Sequence, residues 1–144
     1  MIRKCLLERY QLYYDEKYVY ASDYDFIAKI SRYADVINLS EVLLRYRTHV
    51  KQISFQYFNK QKEYADSIRL SQLKNFNIIP DDSEKELHLS LMDGQKIKDQ
   101  TKFNKMLRWG EKLLDANEKM RFYDSQALAF LLQQQLKYKI RLDI

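Results

Sequence analysis

The stretch Ala21-Ser22-Asp23-Tyr24-Asp25-Phe26-Ile27-Ala28-Lys29-Ile30 carries its own start signal for a helix. Ser22 is a good N-cap residue, and Asp25 stands three residues later, where its carboxylate returns the hydrogen bond. Phe26, Ile27, Ile30 and Tyr33 continue a single apolar face. On the N-terminal side, Ile2, Leu6, Leu7 and Tyr10 recur at helical spacing and predict a short amphipathic helix. Between them, Leu12-Tyr13-Tyr14-Asp15-Glu16-Lys17-Tyr18-Val19-Tyr20 lacks helical periodicity and predicts extended chain. On the C-terminal side, Val36-Ile37-Asn38-Leu39 and Val42-Leu43-Leu44-Arg45-Tyr46-Arg47-Thr48 are short and rich in β-branched or aromatic residues, which predicts two strands separated by Ser40-Glu41.

Two such strands do not make a domain. They need a larger sheet or a covering helix, and the rest of the sequence points to helices. From about Gln52 to Phe76, Ile53, Tyr57, Tyr64, Ile68 and Leu73 recur at helical spacing. Ser83 and Glu86 form a second candidate capping box. Phe103, Met106, Leu107, Leu113 and Leu114 line one further helix ending near Asn117, and Leu128, Leu131, Leu132 and Leu136 line another after an Asp124-Ser125 start. The expected whole is mainly α: an α/β piece over residues 1–54, followed by a bundle of about four helices over residues 55–144.

Composition narrows the chemistry. The 144 residues contain two Gly and one Pro, and Gly94 and Gly110 stand alone, so a Gly-rich phosphate cradle cannot be built. A single Cys5 excludes an internal disulfide framework and suits a reducing compartment. Apolar runs such as Ala127 to Leu132 fall far short of the roughly 20 residues that span a bilayer, and the start lacks the apolar core of a signal peptide. These features predict a cytoplasmic chain. The net charge of +5 is dispersed among acidic residues, which argues for a solvated surface and against nucleic acid, while leaving open association with the inner membrane surface. The 12 Tyr cluster early, where Tyr10, Tyr13, Tyr14, Tyr18 and Tyr20 suit an interface or a homo-oligomer.

The order of Met1-Ile2-Arg3-Lys4, Tyr14-Asp15-Glu16, Ala21-Ser22-Asp23-Tyr24-Asp25-Phe26 and Val42-Leu43-Leu44-Arg45-Tyr46-Arg47-Thr48-His49, closing with Ser54, resembles a family-2 glycosyltransferase of the GT-A fold. There the acceptor-side stretch reads much like A-E-D-Y-D-L, then E-V-L-x-x-Y-R-x-H and a downstream Ser. The resemblance covers about the first third of the chain. It implies the C-terminal, acceptor-side remnant of a GT-A domain without its donor-binding half, inactive alone. The complete enzyme would move a sugar from a nucleotide-sugar donor to a glycan or lipid-linked acceptor in polysaccharide biosynthesis, with a divalent cation, Mg or Mn.

By the same resemblance, Asp23 matches the catalytic base that deprotonates the acceptor hydroxyl, with inversion. A carboxylate in the first turn of a helix is favoured in its ionised form, as a base must be. Arg47 and His49 match an Arg-x-His element near the donor diphosphate and the metal; a guanidinium suits leaving phosphates and an imidazole suits a manganese-like ion. Ser22 stands where the family usually has Glu, and Gln11 where it commonly has Gly. A second assignment is open, because Asp23-Tyr24-Asp25 is also an Asp-X-Asp sequence of the kind that binds a donor's metal, although only 22 residues precede it. The rival reading from another class is a helical interaction or dimerisation module without catalysis.

Overall fold

The structure, a computed structural model, describes residues 1–49, 51–93 and 95–140, with the side chain of Ile140 also left aside. Val50, Gly94 and residues 141–144 lie outside the described residues, and with them the reading of Gly94 as a solitary glycine. The chain divides into two compact units, Met1–Ile68 and Arg69–Ile144.

In the first unit, helix α1 spans Lys4–Tyr10 and stops at Gln11, whose backbone takes the left-handed conformation at φ 50° while its N–H returns to the Leu7 carbonyl. Glycine is the usual residue for such a stop. In this glycine-poor chain Gln11, Asn77 and Arg121 all take positive φ instead. A single 3₁₀ turn, Glu16–Tyr18, then interrupts the stretch expected to run extended, because the Asp15 carboxylate accepts the Lys17 N–H at 3.0 Å and closes the turn. Helix α2 spans Ser22–Ile30. Its apolar face buries Phe26 and Ile30 with Leu12 against Leu6, Leu7 and Ala34. A short helix α3, Ile53–Gln56, and the longer α4, Phe58–Gln72, follow. Within this unit α4 contributes Tyr64 and Ile68 to a small core with Tyr18, Ala21 and Ala28.

The second unit continues with a 3₁₀ turn, Leu73–Phe76, then α5 (Asp82–Met92), α6 (Gln100–Met120) and α7 (Ser125–Ile140). Leu73, Phe76, Leu91, Met106, Trp109, Leu113 and Leu132 form its buried core. Helix α5 is capped two residues earlier than Ser83 and Glu86 suggested: the capping box is Asp81 with Glu84, each side chain bonding the other's backbone N–H. Asp99 caps α6 and Asp124 caps α7. The turn between α6 and α7 is stapled by buried Asn117, which donates to the Tyr123 carbonyl and accepts from the Tyr123 N–H, both at 2.9 Å. At the far end, the buried ammonium of Lys139 donates to Asp93 Oδ1 at 2.7 Å and to the Gln95 carbonyl at 3.0 Å, so the α5–α6 connection is tied to α7.

The expected α/β remnant is overturned. Among the described residues there is no strand and no sheet; residues 36–39 and 42–48 run irregularly without a ladder partner. The physical reason is that strand preference expresses the fit of a side chain on a half-buried pleated surface, and an unpaired segment has no such surface. Val42 and Leu44 are correspondingly 88% and 78% exposed. The described residues form helices joined by irregular chain, which overturns the expected GT-A remnant with two short strands.

An exposed, unpaired segment is the first place a protease cuts. Limited trypsin digestion is expected to cleave after Arg45 or Arg47 before any site within α6, as read by intact-mass spectrometry; first cuts at Arg108 or Lys112 would contradict the assignment of 36–48 as unpaired chain.

Candidate functional site

Helix α2 does not start as its sequence suggested. Ala21 is the N-cap and no side chain caps the end, so Ser22 is already the first helical residue. The Asp25 N–H bonds the Ala21 carbonyl at 3.0 Å, and its carboxylate, freed from a capping box, turns to Lys29 one helical turn later. Asp25 to Lys29 is an i, i+4 pair of the favourable acid-before-base order. Lys29 Nζ lies 2.6 Å from Asp25 Oδ2 and 3.5 Å from Asp15 Oδ2. Asp25 is buried at 7% exposure, so its charge needs this partner. Burial pulls the Lys29 ammonium down, but the hydrogen bond and charge of Asp25, together with Asp15, outweigh it and hold the group above the usual lysine range. Asp15 is held below the usual carboxylate range, first by the Lys17 backbone N–H and then by Lys29, with burial opposing them.

These bonds sort the carboxylates around the start of α2. Asp15 spends one oxygen on the 3₁₀ turn and the other on Lys29. Asp25 is buried and ion-paired. Asp23 is exposed in the first turn of the helix, and its Oδ1 accepts the neighbouring Tyr24 N–H at 2.8 Å. Its other oxygen makes no hydrogen bond or ion pair among the described residues. A carboxylate in the first turn is also favoured by the helix dipole. Asp23, the residue singled out from sequence, is thus exposed and, like Glu16 in the preceding turn, is not engaged by Lys29. The i, i+4 spacing of Asp25 and Lys29 is the sequence signal for that pair, while no spacing in the sequence marks Asp15 as the second partner of Lys29.

The first unit also carries stacked aromatic pairs. The Tyr14 ring stacks on Phe26 with centroids 4.5 Å apart and planes inclined by 27°. Tyr10 and Tyr33 stack at 4.1 Å. Arg47 and His49 sit in the exposed segment after α2, where Gln52 fastens the backbone by donating its side-chain amide to the Arg47 carbonyl and its N–H to the His49 carbonyl. Among the described residues no hydrogen bond or ion pair joins either side chain to Asp23. Nor do three His, Cys, Asp or Glu side chains gather there as a metal would require. Among the described residues His49 stands as a single potential ligand.

The second unit presents different chemistry. A groove of about 430 Å³ between α6 and α7 is lined chiefly by Phe103, Leu107, Leu114, Leu132 and Leu136. It is apolar and lacks the convergent polar groups that orient a polar ligand. The other histidine, His88, is buried in α5, where Trp109 Nε1 donates to its Nδ1 at 3.3 Å. Burial pushes the imidazole down from 6.5 to about 4; a hydrogen bond with the Arg69 backbone opposes this and the Arg69 charge adds to it. His88 is a neutral core residue with a satisfied ring. Among the described residues no helix is long and apolar enough to cross a membrane.

Over 69 residues, 48% of its length, the chain is 33% identical to a protein named "uncharacterized glycosyltransferase" from Haemophilus influenzae; the match takes in 21% of that protein. The chain therefore spans about a fifth of the length of this relative. No family model matches the chain, and no solved structure does. The similarity supports a relationship to glycosyltransferases at the general level.

The His88 environment gives a signed pH dependence. The folded state disfavours the imidazolium, so this contribution to stability is complete above pH 6.5, declines as the pH falls below it, and is gone near pH 4. Between pH 7 and 5 stability is expected to fall by about 2 kcal/mol, followed by urea titration of Trp109 fluorescence. His88→Gln should flatten this slope; an unchanged slope would contradict the assignment.

Proposed function

We propose that the chain is the acceptor-side part of an inverting glycosyltransferase of family 2, acting from a nucleotide-sugar donor onto a glycan or lipid-linked acceptor in polysaccharide assembly. Asp23 is its base. The carboxylate takes the proton from an acceptor hydroxyl as that oxygen attacks the anomeric carbon; the bond to the nucleoside diphosphate breaks, and the configuration inverts. The observation that supports this most is the sorting around α2: Asp15 and Asp25 are engaged by Lys29, while Asp23 is exposed with an oxygen free. The similarity to a glycosyltransferase-named protein of greater length supports the same class.

Arg47, exposed beyond α2, is the cation assigned to the leaving diphosphate. His49 is assigned to the neighbourhood of the Mg or Mn ion of the complete enzyme, where further ligands must come from elsewhere. In the assembled protein the donor-binding part lies outside these residues, and this chain supplies the acceptor's base.

In a full-length protein carrying this chain, Asp23→Asn keeps the shape of the side chain and removes the base. Transfer should fall by about 10²-fold or more, while donor affinity measured by calorimetry stays within twofold or so of the parent. Parental turnover in the Asn variant would refute the assignment of Asp23.

A further inference from the structure

Tyr14 is 63% exposed although its ring lies flat on Phe26, which is itself buried at 6%. One face of the tyrosine therefore covers the core of the first unit and the other faces outward. Phe26 follows Asp23 by three residues on α2, so the two Cβ atoms lie about 5–6 Å apart on neighbouring positions of the helix surface. Stacking at 4.5 Å holds the Tyr14 ring on Phe26, the residue one helical turn after Asp23. A flat apolar face beside a hydrogen-bond acceptor matches a pyranose, which presents axial C–H bonds on one side and hydroxyl donors at its edge.

We propose that the outward face of Tyr14 is a stacking platform for the acceptor sugar, placing one of its hydroxyls at Asp23. The proposal rests on the reading of Asp23 as the base and adds the residue that positions the acceptor. The neighbouring groups favour a neutral sugar ring. Lys29 is occupied by Asp15 and Asp25 and offers no free cation, and Asp23 itself repels an anion, so an acidic sugar is disfavoured at this position. Tyr14 is a positioning residue: its ring orients the substrate and takes no part in proton transfer. The ring face is what matters, so the hydroxyl of Tyr14 is dispensable.

The test uses the full chain, labelled with ¹⁵N and titrated with methyl β-D-galactopyranoside and methyl β-D-glucopyranoside, with sorbitol as a polyol that has no ring to stack. Saturable shifts at Tyr14, Asp23 and Tyr24, with affinity on the order of millimolar, are expected for at least one pyranoside and absent for sorbitol. Tyr14→Phe should retain the affinity. Tyr14→Leu keeps Phe26 covered, so the spectrum should remain dispersed while affinity drops about fivefold or more. Equal affinity in Tyr14→Leu, shifts centred elsewhere, or no shift with either pyranoside would overturn the platform. The Asp23→Asn assay separates the two ideas: loss of transfer in that variant together with a Tyr14→Leu variant that binds normally removes the platform and leaves the base. Ring binding that depends on Tyr14, with transfer unaffected by Asp23→Asn, does the reverse.

Discussion

Lys29 sits between two carboxylates, Asp15 and Asp25, and engages both, leaving Asp23 outside the bridge. Its ammonium meets Asp25 at 2.6 Å and Asp15 at 3.5 Å. Asp25 is almost fully buried, and a buried carboxylate without a partner costs several kcal/mol. Asp15 in turn closes the 3₁₀ turn that leads the chain from α1 back to α2. One cation thereby compensates the buried charge and fastens the turn before the helix. Asp23, two residues from Asp25 and so on another side of α2, is excluded from this exchange and keeps its exposure.

The aromatic contacts of the first unit depend on the same arrangement. Tyr14 immediately precedes Asp15, and its ring can lie on Phe26 because the turn at Asp15 is closed against α2. Tyr18 packs edge-on to Tyr64 on α4, and Tyr20 stacks with Tyr57. Small apolar clusters of this kind bury little area, so stacked rings supply much of the packing that a larger aliphatic core would otherwise give. The second unit is built differently, from Leu, Met and Trp on three helices with acidic caps.

The helices were legible in the sequence because their apolar spacing and caps are local properties. The Asp124 start and most of the faces of α6 and α7 follow from residue spacing, although Leu107 and Leu131, expected on those faces, are exposed and Trp109 is buried in the α6 face. Two capping boxes were misplaced for the same local reason: Ser22 with Asp25 and Ser83 with Glu86 have suitable chemistry, but Lys29 captures Asp25 and Asp81 outcompetes Ser83. Residues 36–39 and 42–48 show the larger limit. Their β-rich composition is genuine, yet a strand is a relation between segments, and the sequence of one segment does not provide the other. Asp23 was singled out by the family likeness and its place in the first turn. Lys29 and Tyr14 were not, since their importance lies in contacts with Asp15 and Phe26 that only the folded turn creates.

The most direct test of this account is Lys29→Met, which keeps the length of the side chain and removes the charge, followed by amide hydrogen exchange across the whole chain. The amides of α2 and of the 15–18 turn should exchange about tenfold faster or more, with α5, α6 and α7 unchanged. Protection of α2 equal to that of the parent would mean that the Lys29 bridge does not hold the start of the helix, and the sorting that sets Asp23 apart would fall with it.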